Sequence, residues 1–147
     1  MGDVTKNFSA SEFDSHDGAD YPPGWIEDRL HPLCITLERI REALGGAPCV
    51  VISGYRSPEH NEALRRHSNG VAKNSQHVQG RAADVRFVGV TPARAHEAAL
   101  QLHAAGALPH MGGLGLYKGW IHVDVRPSIG GRLARWDGKG IGSEPVA

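Results

Sequence analysis

The residues best suited to chemistry here are the histidines, 9 among 147 residues, beside only 2 cysteines. That balance favours imidazole chemistry over a cysteine-based zinc site or a disulfide scaffold. Three metal-ligating side chains stand out by position. Asp84 lies in Arg81-Ala82-Ala83-Asp84-Val85-Arg86-Phe87, where Ala83, Val85 and Phe87 would share one face of a strand and Ala82, Asp84 and Arg86 the other. His122 lies in Gly119-Trp120-Ile121-His122-Val123-Asp124-Val125-Arg126, where Ile121, Val123 and Val125 alternate with His122, Asp124 and Arg126. His77 precedes Asp84 by seven residues, with Gly80 between them.

A zinc site with bonds of about 2 Å needs its donors within about 4 Å of one another, whereas a continuous helix sets residues seven apart by about 10 Å. A loop that folds back over the start of the strand closes the gap, and Gly80 permits the turn. Two neutral imidazoles and one carboxylate would leave a fourth position open to water, the arrangement of catalytic rather than structural zinc. Taken one at a time, the same residues also have plainer readings. The polar face of the second strand fits a solvated edge, His77 a hydrogen-bonded loop histidine, and Asp84 a cap or salt-bridge partner.

The elements that must position these side chains are legible in outline. Asn7 to Phe13 predicts a short helix tucking Phe8 and Phe13 inward, and Tyr21-Pro22-Pro23-Gly24 a turn. From Pro32 to Leu44, Leu33, Leu37, Ile40 and Leu44 form an amphipathic stripe stopped by Gly45-Gly46. Cys49 to Ser53 reads as a buried strand, Ser57-Pro58 as the start of a helix to about Arg66, and His67 to Gln76 as a loop. Arg81 to Phe87 and Trp120 to Arg126 read as strands, and Thr91-Pro92 caps a helix carrying Ala95, Ala99 and Leu102. The expected fold is therefore α+β, a small antiparallel sheet with helices packed on one side and the histidine-bearing loops at the other. One domain spans 1–147; in the stretch after Pro127 only Leu133 and Trp136 can anchor the chain, and about 138–147 is a loosely held tail.

Three segments carry a resemblance: Ser53-Gly54-Tyr55-Arg56-Ser57-Pro58-Glu59-His60-Asn61, Ser75-Gln76-His77-Val78-Gln79-Gly80-Arg81-Ala82-Ala83-Asp84, and His122-Val123-Asp124. They are similar to the zinc D-alanyl-D-alanine carboxypeptidases and related peptidoglycan peptidases, which include phage endolysins and are distant kin of the hedgehog signalling domain. The middle segment resembles the family's Ser-x-His-x-x-Gly-x-Ala-x-Asp signature. The resemblance implies that His77, Asp84 and His122 hold zinc and that the substrate is the peptide part of peptidoglycan. It gives Arg56 a role on substrate, where a guanidinium binds a carboxylate or a developing oxyanion through paired hydrogen bonds. Ser75 would position the loop or touch substrate.

One departure concerns the base. Many members carry Glu or Asp three residues before the last ligand, where this chain has Gly119. Asp124, on the ligand's own strand face, is the candidate to act as base or to orient the ligand, and His110 is the second candidate. The expected activity is zinc-dependent hydrolysis of a stem-peptide or cross-link bond, as carboxypeptidase or endopeptidase. The alternative is an inactive zinc domain that binds peptidoglycan or a protein partner.

Composition narrows the partners. With 16 basic and 16 acidic side chains the net charge is zero, which argues against nucleic acid. Arg65, Arg66, His67, Lys73, Arg132 and Arg135 read as a solvated surface rather than a phosphate site. No stretch approaches a membrane span and residues 1–10 carry no apolar signal region, so a soluble cytoplasmic monomer is expected, acting on the wall once released or delivered, with a phage setting among the options. Cys34 and Cys49 read as small buried residues, with a bridge between them left open.

Overall fold

The structure is a computed structural model and describes residues 2–67, 71, 75–128 and 130–138. Most of the tail foreseen at 138–147, and Lys73 in the polar loop, lie outside the described residues. Apolar periodicity decides the main elements. The Leu33, Leu37, Ile40 stripe builds α1 (His31–Ala43), and Pro58 opens α2 (Pro58–His67). Helix α3 (Pro92–Ala104) begins at Thr91, whose hydroxyl accepts the Arg94 N–H. The strands are β1 (Cys49–Ser53), β2 (Ala82–Phe87), β3 (Gly113–Leu116), β4 (Ile121–Asp124) and β5 (Ala134–Asp137), in sheet order β1-β2-β4-β3-β5.

The α+β expectation holds, with one addition. Three strand pairings are antiparallel, but β5 adds to β3 in parallel at one edge. Neither β3 nor β5 is among the strands expected from sequence. The N-terminal helix is a short 3-10 turn, Ala10–Phe13, and Phe8 and Phe13 are both buried as foreseen. Tyr21 to Gly24 leads into a 3-10 turn, Pro23–Trp25, and a π-helical turn, Ile26–Leu30, that runs directly into α1.

Leu33, Leu37 and Ile40 of α1 and Ala95 and Ala99 of α3 pack with Ala83, Val85 and Phe87 of β2, Leu114 of β3, and Ile121 and Val123 of β4 in a single core. The alternation of the strands therefore assigns one face of the sheet to the helices and leaves the other for Asp84, His122 and Asp124. That second face is not a solvated edge, since all three side chains are fully buried. Both cysteines are free, Cys34 buried and Cys49 half-buried. Among the described residues no helix is long and apolar enough to cross a membrane.

Candidate metal centre

Sheet register lays out the floor of the site. Asp84 pairs with His122, His122 with Gly115, and Gly115 with Trp136. The neighbouring row on the same face is Ala82, Asp124, Gly113 and Ala134. His77 arrives from the turn over residues 76–80, where Gly80 takes a φ of 69° that a side chain rarely adopts. A Cβ at Gly80 would also lie 2.6 Å from Trp25 Cε3. The N-terminal segment grips this turn: the Tyr21 hydroxyl donates to the Gly80 carbonyl and Arg29 to the Gln79 carbonyl. The turn that sequence assigned to chain reversal thus brings a clamp onto the His77 loop.

One donor atom each of His77, Asp84 and His122 lie within 4.8 Å of one another. His77 Nδ1 sits 2.7 Å from the Gly54 carbonyl, so this nitrogen carries the proton and Nε2 presents its lone pair. Nε2 lies 3.2 Å from Asp84 Oδ2. The distance suits an ion pair, but neither atom has a hydrogen-bond partner. Burial, the largest influence on His77, lowers its pKa and favours the neutral ring. Two lone pairs therefore face each other in a dry site, an arrangement that costs free energy until a cation lies between them.

His122 tells the same story from the other side. Its Nδ1 is 3.0 Å from Asp84 Oδ1 and its Nε2 is 2.7 Å from Asp124 Oδ2. A neutral imidazole has one N–H and cannot donate to both carboxylates. Burial works against charging this ring, yet the bonds to Asp124 and Asp84 outweigh it and raise its pKa. Burial alone would likewise raise Asp84, but His77 and His122 hold it below the usual carboxylate range. A divalent cation would resolve these demands together: Asp84, His77 Nε2 and His122 Nδ1 could hold it, which would leave Nε2–H of His122 for Asp124. The donor set fits zinc.

The other sequence candidates divide. Asp124 is fully buried, and both its oxygens are engaged: Oδ1 accepts from Arg126 N and Nε at 3.0 and 2.9 Å, and Oδ2 from Arg126 Nη2 at 2.6 Å as well as from His122. Burial would raise its pKa, but the bonds from His122 and Arg126 hold it well below the usual range. Arg56 is buried beside the cluster; its N–H donates to the His77 carbonyl at 3.0 Å and its guanidinium to Asn61 Oδ1 at 3.1 Å. Ser75 is buried, and its hydroxyl accepts the His77 N–H at 3.1 Å. His110 lies in an exposed turn before β3 and is not among the three residues gathered. Gly119 sits exposed in the short β3–β4 connection, with open space where a Cβ would stand.

Arg126, Trp136, Gly113 and Gly115 escaped the sequence reading as parts of the site. Trp136 packs on the His122 ring with centroids 4.9 Å apart, and the Arg126 guanidinium lies 5.1 Å from the indole centroid. The two glycines make the room. A Cβ at Gly113 would lie 2.6 Å from Asp124 Cγ, and one at Gly115 2.6 Å from Trp136 Cε2. The available signal was the period-two repeat Gly113-Leu114-Gly115-Leu116, small on one face and apolar on the other.

A compact α+β domain with a buried His, Asp, His set on the sheet face opposite its helices defines a class: a domain built around a centre that can hold a metal through three side chains. The chain belongs to the peptidase family described as peptidoglycan L,D-endopeptidase MepK, whose profile matches residues 23–130. It is 35% identical over 117 residues to the peptidoglycan L,D-endopeptidase MepK of Escherichia coli strain K12, covering 78% of this chain and 60% of that protein. It is 42% identical over 86 residues to the probable peptidoglycan L,D-endopeptidase MepK of Haemophilus influenzae, covering 57% of this chain and 42% of that one. The chain thus spans about three fifths of the length of the Escherichia coli relative it matches.

Proposed function

We propose that this chain is a zinc-dependent peptidase domain that cleaves an L,D-peptide bond within bacterial peptidoglycan. The observation that carries the reading is the unpartnered pair His77 Nε2 and Asp84 Oδ2, facing each other in full burial beside His122. The relatives' names supply the bond and the substrate. His77, Asp84 and His122 hold the ion, with the Gly54 carbonyl and Asp124 fixing which nitrogen each ring presents. When bound, zinc supplies a Lewis acid that polarises a peptide carbonyl and makes water acidic enough to attack it.

The chain's own groups do the rest. Arg56, whose guanidinium donates to Asn61 Oδ1, would take a substrate carboxylate or the developing oxyanion by charge-assisted hydrogen bonds. Ser75 positions the His77 turn through the backbone. Asp124, with both oxygens bonded, acts by orienting His122 rather than as the base. A general base needs an available lone pair, and both oxygens of this carboxylate already accept hydrogen bonds from Arg126 or His122. His110 remains the proton acceptor to test.

A second reading has one observation in its favour: Gly119 puts no carboxylate where many relatives of the wider family have one. The domain would then bind peptidoglycan without cutting it. Digestion of purified peptidoglycan with and without chelator, with products identified by mass, separates the two. Chelator-sensitive release of fragments cut at an L,D bond is the expected result. Loss of a single terminal residue would mark a carboxypeptidase, and retention on peptidoglycan without any product would favour the binding domain.

A further inference from the structure

The parallel edge strand β5 looks like a dispensable addition to the sheet, yet it places Trp136 in the same row as the cluster. Strand β3 separates β5 from β4, so two inter-strand spacings, about 10 Å, lie between the backbones of Trp136 and His122. Only a long side chain can bridge that distance, and only if the intervening residue has no side chain. Both conditions are met: the indole crosses Gly115 to reach the His122 ring, with centroids 4.9 Å apart. Its Nε1–H donates to the Tyr117 hydroxyl at 2.8 Å, which fixes the indole plane.

A second support arrives from the end of β4. Arg126 grips both oxygens of Asp124 with its side chain and also donates its backbone N–H. Asp124 in turn takes His122 Nε2 at 2.7 Å. The carboxylate fits because Gly113 faces it. Arg126 also lies against the face of Trp136, 5.1 Å from the indole centroid, so the two supports touch.

We infer that Arg126 and Trp136 form a two-part brace that sets the ring orientation of His122, Arg126 through Asp124 and Trp136 through its tilted packing on the ring. The inference rests on His122 being a metal ligand, as proposed above. Both are positioning residues, since neither a guanidinium nor an indole is a zinc ligand. A ligand ring held on one edge by a hydrogen bond can still rock about it, and the indole packed on the ring opposes that motion. Outer partners of metal-ligating histidines are typically worth about 10- to 100-fold in metal affinity.

The test uses the full chain and two metals. Zinc affinity is measured by competition with a chromophoric chelator, and the visible absorption of the cobalt-substituted protein reports ligand geometry without reference to turnover. Arg126→Ala and Trp136→Ala should each weaken zinc by about 10- to 100-fold and shift the cobalt bands, with folding checked by circular dichroism. Trp136→Phe, which keeps a shorter ring, should fall between wild type and Trp136→Ala. Arg135→Ala, on the exposed side of the same strand, should match wild type. Wild-type affinity and spectrum in either folded alanine variant overturns the brace. If an alanine variant does not fold, Arg126→Lys and Trp136→Phe decide on the same readings, and wild-type values in both overturn it. Failure of the wild-type chain to bind one equivalent of zinc is a separate result that sinks the ligand assignment itself.

Discussion

Strand β4 presents two environments at successive residues. Ile121 and Val123 face α1 and α3, while His122 and Asp124 lie on the face of the His77, Asp84, His122 cluster, and all four are fully buried. On the first face burial is its own reward, because apolar area leaves water and the neighbours need only fill space. On the second face burial is a cost that each polar atom must recover through a partner at the right distance. The core face is therefore made of interchangeable apolar contacts. The site face is made of specific pairs and of glycines that clear space for them.

The sharpest way to break this comparison is to substitute adjacent residues. Ile121→Ala should cost about 2–5 kcal/mol of stability and keep one equivalent of zinc. His122→Ala should lose stoichiometric zinc, because a third of the donor set is gone. Urea denaturation and metal analysis read both effects. Zinc retained in His122→Ala would mean that the two faces differ less than their geometry implies.

Metal linkage gives the next effect. At a zinc concentration about a thousand times the dissociation constant, binding to the folded state alone should stabilise it by about 4 kcal/mol. Chelator should remove that increment from wild type and from the core-face variant Val123→Ala alike, while His77→Ala should show none. An equal chelator effect in His77→Ala, read as a thermal midpoint shift, would place the metal elsewhere.

A smaller effect is expected at the glycines. Gly113→Ala brings a methyl against the Asp124 carboxylate and should cost about 1–3 kcal/mol with weakened zinc binding. Gly119→Ala, where the new methyl meets open space, should leave both nearly unchanged. Comparable losses in the two variants would show that the close approach of Asp124 is not what requires a glycine at 113.

The same division explains what the sequence could reveal. Alternation in 81–87 and 121–126 marks both faces of β2 and β4, because a period of two needs only local information. The seven-residue separation of His77 and Asp84 with Gly80 between them pointed to a folded-back loop, and Gly80 does take the positive φ that the turn requires. Strands β3 and β5 were not legible. Gly113-Leu114-Gly115-Leu116 has little intrinsic strand preference, and β5 pairs in parallel with a strand far back in the chain. The role of Trp136 depends on that pairing and on Gly115 lying between, a tertiary fact with no local signature. Nor could the sequence show that Arg126 bonds both oxygens of Asp124, the contact on which the proposed orienting role of this residue rests.

The smallest effect concerns the loop that closes over the site face. Gly54 lends its carbonyl to His77, Arg56 donates its N–H to the His77 carbonyl, and Ser57 ends the loop as the cap of α2. The Ser57 hydroxyl accepts the His60 N–H at 3.1 Å and donates to Asp17 Oδ2 at 2.6 Å. Ser57→Ala should cost about 1 kcal/mol as a lost cap. The Asp17 bond has its own signature in pH. Hydrogen bonds from Ser57, then Ser15, hold the Asp17 carboxyl at about 2 against an ordinary 3.8. A folded-state pKa below the unfolded one contributes stability above about pH 4, and that contribution is lost as pH falls through 2. The stability gap between wild type and Asp17→Asn should therefore shrink as pH falls from about 4 toward 2, below the range in which His60, whose pKa the Asp17 charge raises, changes its own charge. Asp17 is exposed, so the gap itself should be small and should narrow further with added salt. A gap independent of pH would remove the Asp17 to Ser57 bond from the forces holding this loop, and would leave Ser15, whose hydroxyl accepts the Ser57 N–H at 3.1 Å, as its anchor to the N-terminal segment.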